Sequence, residues 1–211
     1  MPKYWIYLVV PIGGFASAGA SAQDAGTQIT VTASGTPTSL DETGQPVTVI
    51  GRDEIDAVQG ADLMRVLARA PGVSFSRNGA AGSFTGLRVR GAEAEQLLVL
   101  IDGVRVADPA APGGGFDFGN LLTGTIGKID LLRSSNSTIW GSDAIGGVLA
   151  LSTRTDTGLE ASAEYGARIS AFATLSGGLG GDRGSLGGSA GGYRTDGFSS
   201  AASGTEPDGF E

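Results

Sequence analysis

The sequence contains no histidine and no cysteine. Without them the chain cannot build a Ser-His-Asp triad, a thiol nucleophile, a zinc centre of nitrogen and sulfur ligands, or a CxxCH haem attachment. Lysine is scarce too: among 14 cationic side chains only Lys3 and Lys128 are not arginine, and 22 acidic residues bring the net charge to −8. Phosphate backbones demand a basic face, so nucleic acid is excluded as a partner. No phosphate-cradling G-x-x-x-x-G-K-[ST] motif occurs. The one carboxylate grouping suited to hydrolysis, Asp102 with Asp108 or Asp117, has a simpler use for Asp102 in a turn. The expectation is that the protein is not an enzyme. Zero cysteine also suits an oxidising compartment, where stray thiols are a liability.

Nor does any apolar run approach the ~20 residues of a membrane-crossing helix. The amino-terminal run, Tyr4 to Val10, is interrupted by Pro11, Gly13 and Gly14. With Lys3 before it and Ala20-Ser21-Ala22 after it, the pattern is that of a secretory signal over residues 1–22. What the chain has in excess is glycine: 37 residues, against an average usage of about 7%. There is no Gly-X-Y period, and 40% of residues are apolar. Collagen and disorder are therefore both excluded, and a folded, strand-rich protein is expected.

Residues 23–46 carry one β-prone run, Ile29-Thr30-Val31-Thr32, among Ser, Thr, Gly and Asp. It reads either as a tail or as a strand awaiting a partner's sheet edge. Residues 47–155 read as a compact α+β domain. Val47 to Ile50 forms a strand, Asp53 caps a first helix, and Gly60 breaks it. Leu63, Val66, Leu67 and Ala70 then repeat at helical spacing before Pro71-Gly72 stops the second helix. Leu87 to Arg90 alternates like a half-buried strand, whereas Leu97 to Ile101 is apolar throughout and suited to burial on both faces. Asp102-Gly103 supplies a type I′ turn into Val104-Arg105-Val106. Ile126 to Leu132 and Val148 to Ser152 complete the strands, and the Gly-rich loops 78–86 and 107–120 are long enough to bind a ligand.

Beyond residue 155 the texture changes. Leu159, Ala161, Ala163, Tyr165 and Ala167 alternate with polar or small residues, and two further runs flank a turn at Gly181-Asp182-Arg183-Gly184. Segments of about ten residues with dyad alternation fit transmembrane β-strands, and equally a soluble antiparallel sheet.

Five segments carry a specific likeness: Ile29 to Ala33, Ala70-Pro71-Gly72-Val73, Arg88-Val89-Arg90-Gly91, Leu98 to Arg105, and Gly141 to Val148. In this order they resemble the plug domain of TonB-dependent outer-membrane receptors, most closely the cobalamin (vitamin B12) transporter branch. The resemblance implies an α+β plug, a small mixed sheet with two short helices, followed by the first antiparallel strands of a transmembrane β-barrel. It places a TonB box on Thr27, Gln28, Ile29, Thr30, Val31, Thr32, Ala33 and Ser34, pairing with the TonB energy-coupling protein. Substrate contacts carry over to Phe84, Gly86, Glu93, Ala111 and Pro112. The ligand would be a scarce small molecule, cobalamin or an iron-siderophore, and the location the outer membrane, with lipid around the strands.

Two arginines, Arg90 and Arg133, match family positions that face barrel-wall carboxylates, although Arg133-Ser134-Ser135 departs from the family's usual Arg-Gly-Pro. Glu206 and Asp208 resemble part of a calcium-holding loop, but two carboxylates supply few of the six to eight oxygens calcium takes. No other cofactor is implied. The 56 residues after 155 leave room for about three strands, and a transmembrane sheet must close to satisfy its edges. The expectation is therefore an amino-terminal portion of a receptor, with a stand-alone periplasmic binding or adaptor module as the alternative.

Overall fold

The computed structural model describes residues 28–29, 38–39, 44–79, 82–154, 157–167, 169–181 and 184–196. The signal sequence, Thr27, Thr30 to Ser34, Glu206 and Asp208 lie outside these residues. In chain order, the short strands β1 (Gln28–Ile29) and β2 (Thr38–Ser39) pair antiparallel. Then come β3 (Val47–Ile50), α1 (Arg52–Ala57), α2 (Leu63–Leu67), β4 (Val73–Arg77), β5 (Thr85–Val89), β6 (Leu97–Ile101) and β7 (Val104–Val106). They are followed by β8 (Ile126–Leu132), α3 (Ser137–Trp140), β9 (Gly147–Thr153), β10 (Gly158–Gly166), β11 (Ser170–Gly181) and β12 (Gly184–Arg194).

Residues 47–153, where the plug is expected, are built on a five-stranded sheet of order β3-β8-β9-β6-β7, in which only the β6–β9 pairing is parallel. The unbroken apolar run of β6 serves two cores. Leu97 and Val99 pack with α1, α2 and the β4–β5 hairpin, while Leu98 and Leu100 join Leu132, Val148, Ala150 and Trp140 on the opposite face. A strand buried on both faces cannot alternate, and each such Leu or Val contributes about 1.5–3 kcal/mol by leaving water. Asp102 (φ 49°) and Gly103 (φ 79°) form the expected turn with both central residues in the left-handed region.

Local details depart from expectation. Gly51, not Asp53, is the N-cap of α1; Asp53 lies in the first turn, where its carboxylate complements the helix dipole. The side-chain cap falls instead on α2, where Asp62 Oδ1 accepts the Met64 N–H at 3.0 Å. β4 and α3 were not anticipated. Ser74 and Ser76 dilute the apolar signal of β4, and α3 is one turn, closed by Gly141 at φ 86°. Thr85 and Gly86 belong to β5 rather than to the preceding loop.

Strands β10, β11 and β12 form a separate antiparallel sheet. Its register puts Leu159, Ala161, Ala163, Leu175, Leu179, Leu186 and Ala190 on one face, and Ser162, Glu164, Phe172, Thr174, Ser176 and Ser189 on the other. The polar face is the one turned toward the plug: Phe172, Thr174 and Ser176 are buried, with Ser162 and Thr174 hydroxyls 2.6 Å apart. The apolar face is bare, with Leu159 and Leu179 each 80% exposed and Leu186 79%. A soluble two-layer protein would turn this sheet around and bury the leucines.

Candidate functional site

Two loops that connect strands of the plug are stitched together at one end of it. Asp117 Oδ1 accepts the N–H groups of both Thr85 (2.8 Å) and Gly119 (2.9 Å), and Phe118 N–H donates to the Thr85 carbonyl at 3.0 Å. Thr85 is fully buried; its hydroxyl donates to the Ser83 carbonyl and accepts from Arg77 Nε. Arg77 is tied to the α2 cap by an ion pair with Asp62 at 2.8 Å. Gly119 sits so close to the Ser83 carbonyl that a Cβ there would overlap it. One carboxylate thus holds the chain segments at 83–85 and 117–119 in a fixed relation.

Of the residues expected to contact substrate, Gly86 packs on Ala94, and the chain just after Ala111 and Pro112 comes up beside Ala94 and Glu95. A Cβ added at Gly86 would fall 3.5 Å from Ala94 Cβ, and one at Gly115, three residues after Pro112, 3.7 Å from the same atom. Gly113, in the short 3-10 turn Pro112–Gly114 that follows Ala111, packs against the Glu95 side chain. Phe84 is 38% exposed, with its ring beside Gly86. Glu93 is not a free acceptor: it ion-pairs with Arg88 at 2.7 Å, while its N–H donates to Gln96 Oε1. Gly86 is itself buried within β5, so its contribution is room for Ala94 rather than a direct contact. An isolated alanine carries no sequence signal, so Ala94 stands out only through the contacts of the folded chain.

A cavity of about 620 Å³ opens between this end of the plug and the β10–β11 hairpin. Its plug wall includes Asp62, Arg65, Arg77 and Gly119; its strand wall includes Glu164, Phe172 and Tyr193, which form one cross-strand row. Glu164 accepts the Gly60 N–H at 2.8 Å, a direct bond between strand and plug. The Arg65 guanidinium lies over Gly60, where a Cβ would meet its Nη1 at 2.6 Å. None of the five expected substrate residues is among the described residues lining this cavity. Glu164, Phe172 and Tyr193 become recognisable only once strand register tells which side of the sheet they occupy.

Arg90 and Arg133 lie together away from the cavity. Arg90 Nη1 donates to the Arg133 carbonyl at 2.9 Å, and Arg133 Nη1 to the Pro71 carbonyl at 3.1 Å. Arg133 Nε is buried without a hydrogen-bond partner in the structure. Among the described residues neither guanidinium meets a carboxylate, and no group of three acidic side chains is placed to hold a metal. Of the expected TonB box, the backbone of Gln28 and Ile29 is described, paired with Ser39 and Thr38.

Residues 39–148 match the model of the TonB-dependent receptor plug domain. Solved structures similar to this chain include the ferric-catecholate import receptor Fiu from E. coli, at 23% identity and TM-score 0.57 over 76% of this chain and 22% of that one. The siderophore receptor PiuA from Acinetobacter baumannii matches at 20% identity and TM-score 0.60, over 75% and 22%. The ferric citrate transporter FecA matches at 26% identity and TM-score 0.54, over 71% and 26%. The chain spans about a quarter of the length of these receptors. The finer likeness to the cobalamin branch finds no support in these matches. With a stitched loop cluster at one end of a mixed sheet, a strand sheet lying polar side inward against it, and the family model covering more than half its length, the chain belongs to the TonB-dependent receptor plug-domain family.

Proposed function

We propose that this chain forms the plug and first three wall strands of an outer-membrane receptor that takes up a ferric chelate, with energy delivered by TonB through residues 27–34. The observation that carries this reading is the orientation of β10–β12, with hydroxyls and Glu164 toward the plug and leucines toward the outside. Only a nonpolar surrounding rewards that arrangement, and lipid supplies one. Along β11 the apolar face runs from Ala171, paired with Tyr165, to Leu179, paired with Leu186. Eight steps at about 3.3 Å give ~26 Å along the strand, or ~20 Å once tilted by about 40°, against an apolar band of about 25 Å in such barrels.

The ligand class draws support from the receptors this fold resembles, which are a ferric-catecholate importer, a siderophore receptor and a ferric citrate transporter. The buried, unpartnered Arg133 Nε supports the assignment of Arg90 and Arg133 to contacts with a barrel wall, because a buried donor left unmet costs about 1–3 kcal/mol. Extended backbone pairing with a partner's sheet edge suits the TonB box, since its bonds bear load together. Binding and uptake of iron-labelled ferric catecholate and ferric citrate, with cyanocobalamin as competitor, test the proposal. Saturable, energy-dependent iron uptake supports it; uptake of cyanocobalamin alone rejects the ferric class, and a soluble periplasmic product rejects the receptor. Thr30→Pro removes a backbone donor and is expected to abolish uptake while leaving surface binding within twofold.

A further inference from the structure

Among the described residues, four charged side chains line the cavity between plug and strands, and two of them pair with each other: Asp62 and Arg77, at 2.8 Å. The other two are Arg65 of α2 and Glu164 of β10. Neither has an ion-pair partner among the described residues. Both lie against Gly60, which at φ 110° and without a Cβ leaves room for the Arg65 guanidinium, while its N–H donates to Glu164 Oε2 at 2.8 Å. No acceptor among the described residues meets the guanidinium, so its N–H donors stay open.

A guanidinium and a carboxylate that touch one glycine without pairing leave a gap that a small group can bridge. The surroundings of that gap are apolar and aromatic: Phe172 and Tyr193 continue the cross-strand row from Glu164, and Leu121 and Leu122 line the plug wall. At about 620 Å³ the cavity is within the range of small-molecule sites. Charge balance then selects the ligand. An anion drawn to Arg65 would be opposed by Glu164, and a cation drawn to Glu164 by Arg65. A molecule carrying both charges meets both side chains, and a ring on it finds Phe172 and Tyr193.

We propose that this cavity is a binding site for a zwitterion bearing an aromatic ring, the chemistry of an aromatic α-amino acid, with its carboxylate on Arg65 and its ammonium on Glu164. None of Phe84, Gly86, Glu93, Ala111 and Pro112 lines it, so the site is separate from the expected substrate contacts. Calorimetric titration of the intact gene product with L-tryptophan, tryptamine and indole-3-propionate tests this, because each analogue keeps the ring and one charge. Tryptophan is expected to bind about tenfold more tightly than either analogue, as one charge-assisted hydrogen bond supplies. Arg65→Gln is expected to weaken tryptophan about tenfold and to leave tryptamine within about twofold. Glu164→Gln keeps an acceptor for the Gly60 N–H while losing the charge; it is expected to weaken tryptophan about as much and to leave indole-3-propionate within about twofold. The Arg65 side chain holds no other group, so the Tm of Arg65→Gln is expected within about 2 °C of wild type. If Glu164→Gln lowers the Tm further, the Arg65 variant and the two analogues decide. Tryptophan binding no tighter than that of both analogues, or unchanged in Arg65→Gln, would overturn the inference. Iron uptake without tryptophan binding overturns this inference alone, and tryptophan binding without iron uptake overturns the chelate reading alone.

Discussion

Single side chains carry tasks here that composition does not advertise. Asp102 is the clearest case. It supplies the first positive φ of the β6–β7 turn, and its two carboxylate oxygens accept from Thr153 N–H and Thr153 Oγ1, each at 2.8 Å. The turn of one hairpin is thereby pinned to the last residue of β9, just before the chain leaves the plug. Asp102→Asn keeps the tolerance for positive φ and one acceptor, and is expected to cost less than about 1 kcal/mol. Asp102→Ala loses both acceptors and strains the turn, for about 1–2 kcal/mol at this exposed position; urea unfolding of the two variants checks the order. Asp117 does similar work where one of its oxygens holds two loops. The DG pair made the turn at Asp102 legible, whereas the distant partners of these carboxylates, Thr153 for Asp102 and Thr85 for Asp117, left no trace in the sequence.

Among the elements, periodicity read well wherever one environment persisted along a strand. β6, β8 and the three long strands β10–β12 stand close to where their apolar patterns put them, because burial on two faces or on one leaves a distinct pattern. Short elements held by tertiary contacts did not: α3 is a single turn, and β4 exists through its pairing with β5. Alternation also could not say which face of β10–β12 meets the plug. If the leucine face meets lipid, the cost of a charge there depends on depth. Leu175→Arg, near the middle of the apolar band, is expected to destabilise by about 2–4 kcal/mol, and Leu179→Arg, at its end, by about 0–1 kcal/mol. Unfolding of each variant from lipid vesicles measures this, and equal costs at the two depths would remove the lipid assignment.

For the molecule as a whole, the critical surface is the one between plug and strands. It combines the Gly60–Glu164 hydrogen bond with a close approach at Gly124, where a Cβ would overlap Thr174 and lie 3.2 Å from the Phe172 ring. Gly124→Val is expected to force the two sheets apart, at about 1–3 kcal/mol of overpacking, and to make the plug more susceptible to protease. Gly192→Val, with nothing within 4 Å of its Cβ, serves as control; equal susceptibility of the two variants would mean that the contact at Gly124 does not hold the plug. The cavity belongs to the same surface, since its walls come from both sheets.

Residue order alone determined the class of this protein. Missing His and Cys removed most catalytic chemistry, hydrophobic periods located the longer strands, and short motifs around Pro71-Gly72, Asp102-Gly103 and Gly141 to Val148 pointed to the plug family, because turns and buried strands impose local chemistry that sequence must display. The face that β10–β12 turn outward, the clustering of Gly86, Ala94 and Gly115, the adjacency of Arg90 and Arg133, and the cavity between the two sheets were decided only by tertiary structure. Each depends on contacts between segments far apart in the chain, and no local period or propensity encodes which distant surface a side chain will meet.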